Sequence, residues 1–190
     1  MDDALRRIVV GISGASGVVY GLELLKTLKQ LEYETHLIVT EAAHRNFLLE
    51  TKVSLEEVES YADVVHRNND LAAAVSSGSF LTMGMVVIPC SIKTLSAIAH
   101  SYSEYLIVRA ADVTLKERRP LVLVVRETPL HQGHLELMLG AARNGATILP
   151  PVPAFYHQPR TIDDIIRQTI GKVLDCFRIP HQLFQRWGED

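Results

Sequence analysis

Residues 8–17 read Ile-Val-Val-Gly-Ile-Ser-Gly-Ala-Ser-Gly, and Val18 to Leu28 follow with apolar residues at helical spacing. A β-branched apolar run, a turn of glycines and serines, and a helix start form a βα unit. Such a unit turns the free N–H groups and positive dipole end of its helix toward the turn, which suits an anion. Gly11, Gly14 and Gly17 permit close backbone approach, and Ser13 and Ser16 offer hydroxyl donors. The spacing is not G-x-G-x-x-G, and no Walker lysine follows. The structural alternative is a plain βα turn whose small residues serve packing.

The rest of the chain repeats this alternation. Strands are predicted at about 8–12, 34–40, 85–89, 121–125 and 146–149. Helices are predicted at about 17–31, 41–50, 91–99, 109–116, 134–144 and 161–177, with a short one opening at Ser54 and a mixed stretch over 62–75. Alternation of this kind predicts an α/β fold: a three-layer αβα, Rossmann-like (flavodoxin-like) doubly wound parallel sheet. With 190 residues and no linker or repeat, one domain over 1–190 is expected.

Net charge of −3 gives no electrostatic reason to expect nucleic acid or an anionic membrane. Two cysteines, Cys90 and Cys176, make neither a disulfide framework nor a cysteine-built metal site. No apolar run approaches the ~20 residues that span a bilayer, and Met1 to Arg7 contains no apolar leader core. A cytoplasmic protein is expected.

Ligands of doubly wound sheets lie at the carboxyl ends of the strands. Three predicted strand ends there carry hydroxyls: Ser13 and Ser16, Thr40, and Ser91 with Thr94. Each is also a candidate helix N-cap. Three on one sheet edge favour a ligand pocket.

Several segments together resemble the UbiX/Pad family of flavin prenyltransferases, in their order and over nearly the whole chain. They are Gly-Ile-Ser-Gly-Ala-Ser-Gly (11–17), Ser-Ser-Gly-Ser-Phe (76–80), Pro-Cys-Ser-Ile-Lys-Thr-Leu-Ser (89–96), Arg109 to Pro120, Val125 to Leu130, Pro150 to Pro159 and Arg-Trp-Gly (186–188). The resemblance implies an enzyme that binds reduced FMN and attaches a dimethylallyl group from dimethylallyl monophosphate. Bonds form at flavin N5 and C6, and the prenylated FMN serves a UbiD-type decarboxylase. It also implies a homo-oligomer, a dodecamer, with sites at subunit interfaces. Cofactor-binding positions carried over are Gly14, Ala15, Ser16, Thr40, Ser91, Ile92, Lys93, Thr94 and Arg126.

Arg109 and Lys116 lie seven residues apart, so a helix presents them on one face, and converging cations suit a phosphate. By resemblance they line the phosphate end of the prenyl site, and Ser16 joins them among the catalytic residues. Glu127 follows a strand end and its resemblance role is a proton shuttle to the departing phosphate; the alternative is a surface ion pair. Tyr156, in a loop restricted by four prolines, and Lys172 match the substrate-phosphate pair, where close relatives often carry arginine in place of the lysine. Asp163-Asp164 lacks a second carboxylate cluster, so it reads as part of a capping box with Thr161, and no metal is expected. Cys90 reads as packed, and Ser16 has no evident His/Asp set for a hydrolase. Two other functions are compatible with the same resemblance: an FMN-dependent oxidative decarboxylase of the same fold, for which His44 is the candidate, and a non-catalytic flavin carrier.

Overall fold

Among the described residues six strands alternate with helices. In order they are β1 (Arg7–Ile12), α1 (Val18–Gln30), β2 (Glu34–Val39), α2 (Glu41–Glu50), α3 (Leu55–Glu59), β3 (Val64–Arg67) and β4 (Gly84–Cys90). Then come α4 (Ile92–Ala99), α5 (Leu106–Lys116), β5 (Leu121–Val125), α6 (Gln132–Arg143), β6 (Thr147–Ile148) and α7 (Ile162–Cys176). The structure, a computed structural model, describes residues 6–188. Met1 to Leu5, most of the stretch read above for a leader core, lie outside them.

All five strand pairings are parallel, in the order β3-β2-β1-β4-β5-β6. The order reverses between β1 and β4, which is the switch point where ligands bind in such sheets. Residue parity along the strands decides the two cores. Ile8, Val10, Ile12, Leu37, Val39, Val86, Ile88, Val122 and Val124 pack against α1, α2, α3 and α7. Val9, Ile38, Met85, Val87, Leu121, Leu123 and Val125 pack against α4, α5 and α6. Both faces of the central strands are therefore buried, which explains their continuous apolar runs. The result is the expected doubly wound, three-layer α/β sheet.

Differences from the predicted elements have local causes. β3 lies in the stretch read as mixed; it is an edge strand with exposed Val64 and Val65, so it carries no buried pattern. α5 starts three residues before Arg109. Its first N–H groups are satisfied from far along the chain: Leu106 donates to the Asn68 carbonyl at 2.8 Å and Ile107 to Asn68 Oδ1 at 3.1 Å. α6 starts at Gln132 because the His131 ring accepts the Gly133 N–H at 3.0 Å. The Thr161–Asp164 capping box of α7 has both halves, as expected. Among the described residues no helix is long and apolar enough to cross a membrane.

Candidate functional site

The end of β1 is joined to the end of β4 by one side chain. Ser13, fully buried, donates its hydroxyl to the Pro89 carbonyl at 3.0 Å and accepts the Ser91 N–H at 2.8 Å. This hydroxyl, read above as a ligand donor, is thus spent on holding the switch point together. Gly14 follows, where α2 comes so close that an added Cβ would overlap the Ala42 side chain. Gly17 starts α1 at φ 97, a left-handed conformation that favours glycine.

The α1 N-terminus differs from its expected role. The Glu50 carboxylate accepts the N–H groups of Gly17 at 2.7 Å and Val18 at 3.3 Å. That dipole end serves a carboxylate of the same chain, not an open anion seat. The turn keeps the exposed Ser16 hydroxyl and the Gly14 backbone at the surface, while Ala15 is buried and its carbonyl accepts the Asn46 amide at 2.8 Å.

Beside this turn lies a cleft of about 680 Å³. Gly14, Thr40, Ser91, Lys93 and Thr94 line it, together with Asn68, Tyr102 and Tyr105, which sequence reasoning did not single out. The hydroxyls have structural duties as well. Thr40 caps α2 by accepting the Ala43 N–H at 3.3 Å. Ser91 caps α4 by accepting the Thr94 N–H at 3.3 Å and donates to Thr94 Oγ1 at 3.1 Å. Both readings, cap and cleft wall, therefore hold for the same residues. Ile92 borders a neighbouring hollow between α4 and α6 instead. Arg126, exposed just past β5, anchors its backbone N–H on the Cys90 carbonyl at 3.1 Å. Its charge acts on Tyr20 of α1, whose phenol is pushed above its ordinary pKa by burial, against opposing contributions from Thr169 and Arg126.

Arg109 and Lys116 share one face of α5, as their spacing predicted, and that face meets the loop 76–80. Arg109 Nε donates to the Ser76 carbonyl at 3.2 Å and its guanidinium pairs with Asp112 at 3.2 Å. Lys116 pairs with Glu117, and Arg119 donates to the carbonyls of Phe80 at 2.8 Å and Gly78 at 2.7 Å. The neighbouring cation holds the Glu117 carboxyl below its ordinary range. Glu127 is exposed and accepts the Thr128 N–H at 3.0 Å.

Tyr156 meets the C-terminal segment, and Lys172 pairs within α7. The Tyr156 ring stands edge-on to Trp187 with centroids 5.7 Å apart, and Lys172 contacts Asp175 at 3.4 Å. Within one chain most of the expected residues fall into three patches, the cleft, the α5 cations, and the Tyr156–Lys172 region, while Ala15, Ser16, Ile92, Arg126 and Glu127 are not among the residues that line the cleft. Neither Arg109 and Lys116 nor Tyr156 and Lys172 line the cleft. Cys90 is fully buried in the core, and burial pushes its thiol far above the ordinary range, so it is packed and unreactive. Asp164 spends its carboxylate on the N–H groups of Arg160 and Thr161, both at 2.9 Å.

A doubly wound sheet with a hydroxyl- and glycine-lined cleft at its switch point defines a flavodoxin-like, nucleotide-binding α/β protein. The Flavoprotein family profile matches residues 1–174, and the chain belongs to this family, in its UbiX branch. It is 60% identical over 186 residues to the flavin prenyltransferase UbiX of Escherichia coli strain K12, covering 96% of this chain and 98% of that one. It is 54% identical over 181 residues to the enzyme of the same name from Thauera aromatica, covering 95% and 93%. Among solved structures it is similar to AnUbiX (PadA1) in complex with FMN and dimethylallyl pyrophosphate, with TM-score 0.95, 50% identity and coverage of 96% and 97%. It is also similar to a dodecameric FMN-dependent UbiX-like decarboxylase from Escherichia coli O157:H7, with TM-score 0.93, 47% identity and coverage of 95% and 98%.

Proposed function

We propose that this chain is a flavin prenyltransferase that moves a dimethylallyl group from dimethylallyl monophosphate to reduced FMN. The observation that carries the reading is the cleft at the β1–β4 switch point, walled by Gly14, Thr40, Ser91, Lys93 and Thr94, in a chain that matches UbiX relatives over nearly its full length. Residue 14 is glycine because α2 packs against it, where a Cβ would overlap the Ala42 side chain, and the glycine itself lines the cleft. Gly14 to Ser16, Thr40, Ser91 to Thr94 and Arg126 are the residues that would hold FMN. Reduced flavin would supply electron-rich N5 and C6 positions, each bonding a different carbon of the dimethylallyl group.

The chain's own residues handle the leaving group. As the carbon–oxygen bond of the prenyl phosphate breaks, the phosphate keeps the bonding electrons and gains charge. Arg109, Lys116 and Lys172 offset that charge, and the Tyr156 and Ser16 hydroxyls hydrogen-bond the phosphate oxygens. Glu127, placed at a strand's carboxyl end, transfers a proton to the departing phosphate. No metal is required in this scheme.

The three separate patches of one chain support an assembled site, in which neighbouring copies complete the pocket. The exposed apolar residues support the same reading: Leu48 and Leu49 on α2 and Phe155 beside Tyr156 are each more than two-thirds exposed. A dodecamer serving a UbiD-type decarboxylase, in the cytoplasm, is part of the proposal. The decarboxylase alternative is less well supported, because His44 lines a smaller adjoining hollow and not the cleft. The test is functional transfer. Material made by the chain from reduced FMN and dimethylallyl monophosphate should activate a flavin-free UbiD-type decarboxylase; a decarboxylase left inactive would reject the proposal.

A further inference from the structure

Three cationic or proton-donating groups converge on one carboxylate at the end of α7. Arg186 grips Asp175 with both terminal nitrogens, at 2.6 Å to Oδ1 and 3.2 Å to Oδ2. His181 Nε2 lies 3.1 Å from Oδ1, and Lys172 Nζ lies 3.4 Å from Oδ2. Burial alone would raise the Asp175 carboxyl, yet Arg186, His181 and Lys172 together hold it below its ordinary range. His181 is itself locked. Its Nδ1 accepts the Leu183 N–H at 3.2 Å, which places the ring proton on Nε2, facing Asp175. Its side chain is only 2% exposed.

Packing holds the same segment to the same helix. Gly171 lies one helical turn before Asp175, and a Cβ there would overlap Phe184 and come within 2.7 Å of His181 Cε1. The C-terminal segment therefore lies flush on α7 only because residue 171 is glycine. Further along, Trp187 meets the Tyr156 ring, and Phe184 packs beside His157 at 6.4 Å between centroids. One carboxylate thus links the Tyr156 loop, the C-terminal segment and Lys172.

We propose that Asp175 is a positioning residue for the prenyl-phosphate site: it fastens the C-terminal segment against the Tyr156 loop through Arg186 and His181, and it holds Lys172 until the substrate phosphate takes the lysine. This rests on the reading of Tyr156 and Lys172 as phosphate ligands. The contact distances separate the two duties. The bidentate arginine is the short, directional contact, and the 3.4 Å lysine contact is the long one that a dianionic phosphate outcompetes.

The test uses the assembled protein and two readouts. Trypsin needs the Arg186 side chain released from Asp175 before it cuts after that residue. In Asp175→Asn, mass spectrometry should show cleavage after Arg186 accelerated about tenfold, and KM for dimethylallyl monophosphate should rise about tenfold, with kcat and the KM for reduced FMN within twofold. That size follows from losing charge-assisted hydrogen bonds. Gly171→Ala, which changes no charge, should give the same pair of effects by lifting the segment, and Asp175→Glu should restore at least half of each loss. Faster cleavage with an unchanged KM, or a raised KM with unchanged cleavage, would overturn the proposal. Lys172→Gln separates the two readings: an unchanged KM in that variant rejects the phosphate role of Lys172, whatever Asp175→Asn does to cleavage.

Discussion

The Ser13 hydroxyl accepts the Ser91 N–H at 2.8 Å and donates to the Pro89 carbonyl at 3.0 Å, so one side chain bridges the ends of β1 and β4. Replacing Ser13 by Ala leaves the half-buried Ser91 N–H without that acceptor, while the Pro89 carbonyl keeps the Ser13 backbone N–H at 3.1 Å. An unsatisfied buried polar group costs about 1–3 kcal/mol. Denaturant unfolding of Ser13→Ala should show a loss of that order. Because Ser91 walls the cleft, FMN affinity should fall with it in a fluorescence titration. Wild-type stability and affinity would mean that the crevice does not depend on this bridge.

Gly14 offers a sharper steric test. Any side chain there meets Ala42, so Gly14→Ala should weaken FMN binding, and Ala42→Gly introduced alongside should recover part of it. Calorimetry on the two variants measures both effects. A Gly14→Ala protein that binds FMN as the wild type does would remove the close approach from the account.

Much of this was readable from residues alone, for physical reasons. Central strands buried on both faces give apolar runs that announce themselves, and the Thr161–Asp164 box is a purely local device. β3 was missed because an exposed edge strand has no buried face to imprint a pattern. The start of α5 was missed because its cap, Asn68, comes from 38 residues before Leu106 in the chain. Ser13 and Ser16 look alike in the sequence, yet one is buried between strand ends and the other is exposed. Glu50 on the α1 N-terminus and Asp175 beneath Arg186 are both contacts between distant or differently oriented segments, which spacing alone does not reveal.

Glu127→Gln keeps the size of the side chain and its hydrogen-bond acceptor for Thr128, but removes the exchangeable carboxyl proton. General acid–base steps contribute about 10²–10⁴-fold, and kcat should drop by that order. FMN and dimethylallyl monophosphate should bind within twofold of wild type by calorimetry. Wild-type turnover would remove Glu127 from the chemistry, and lost FMN binding would make its role structural.

Subunit mixing tests whether the patches complete one another across copies. Arg109→Ala and Tyr156→Phe proteins should each lose most activity when assembled alone. If their residues serve one site from different subunits, co-expressed mixtures should regain a measurable fraction, because some interfaces then carry two intact halves. Mixtures no more active than the sum of the parents would place both residues in the same subunit's site.

The most direct measurement is mass spectrometry of the flavin after the purified protein is incubated, without oxygen, with reduced FMN and dimethylallyl monophosphate. The expected product is a flavin heavier by one dimethylallyl unit, formed only when both substrates are present, and formed also in the presence of a metal chelator. Recovery of unchanged FMN from an assembled protein that binds both substrates would contradict it.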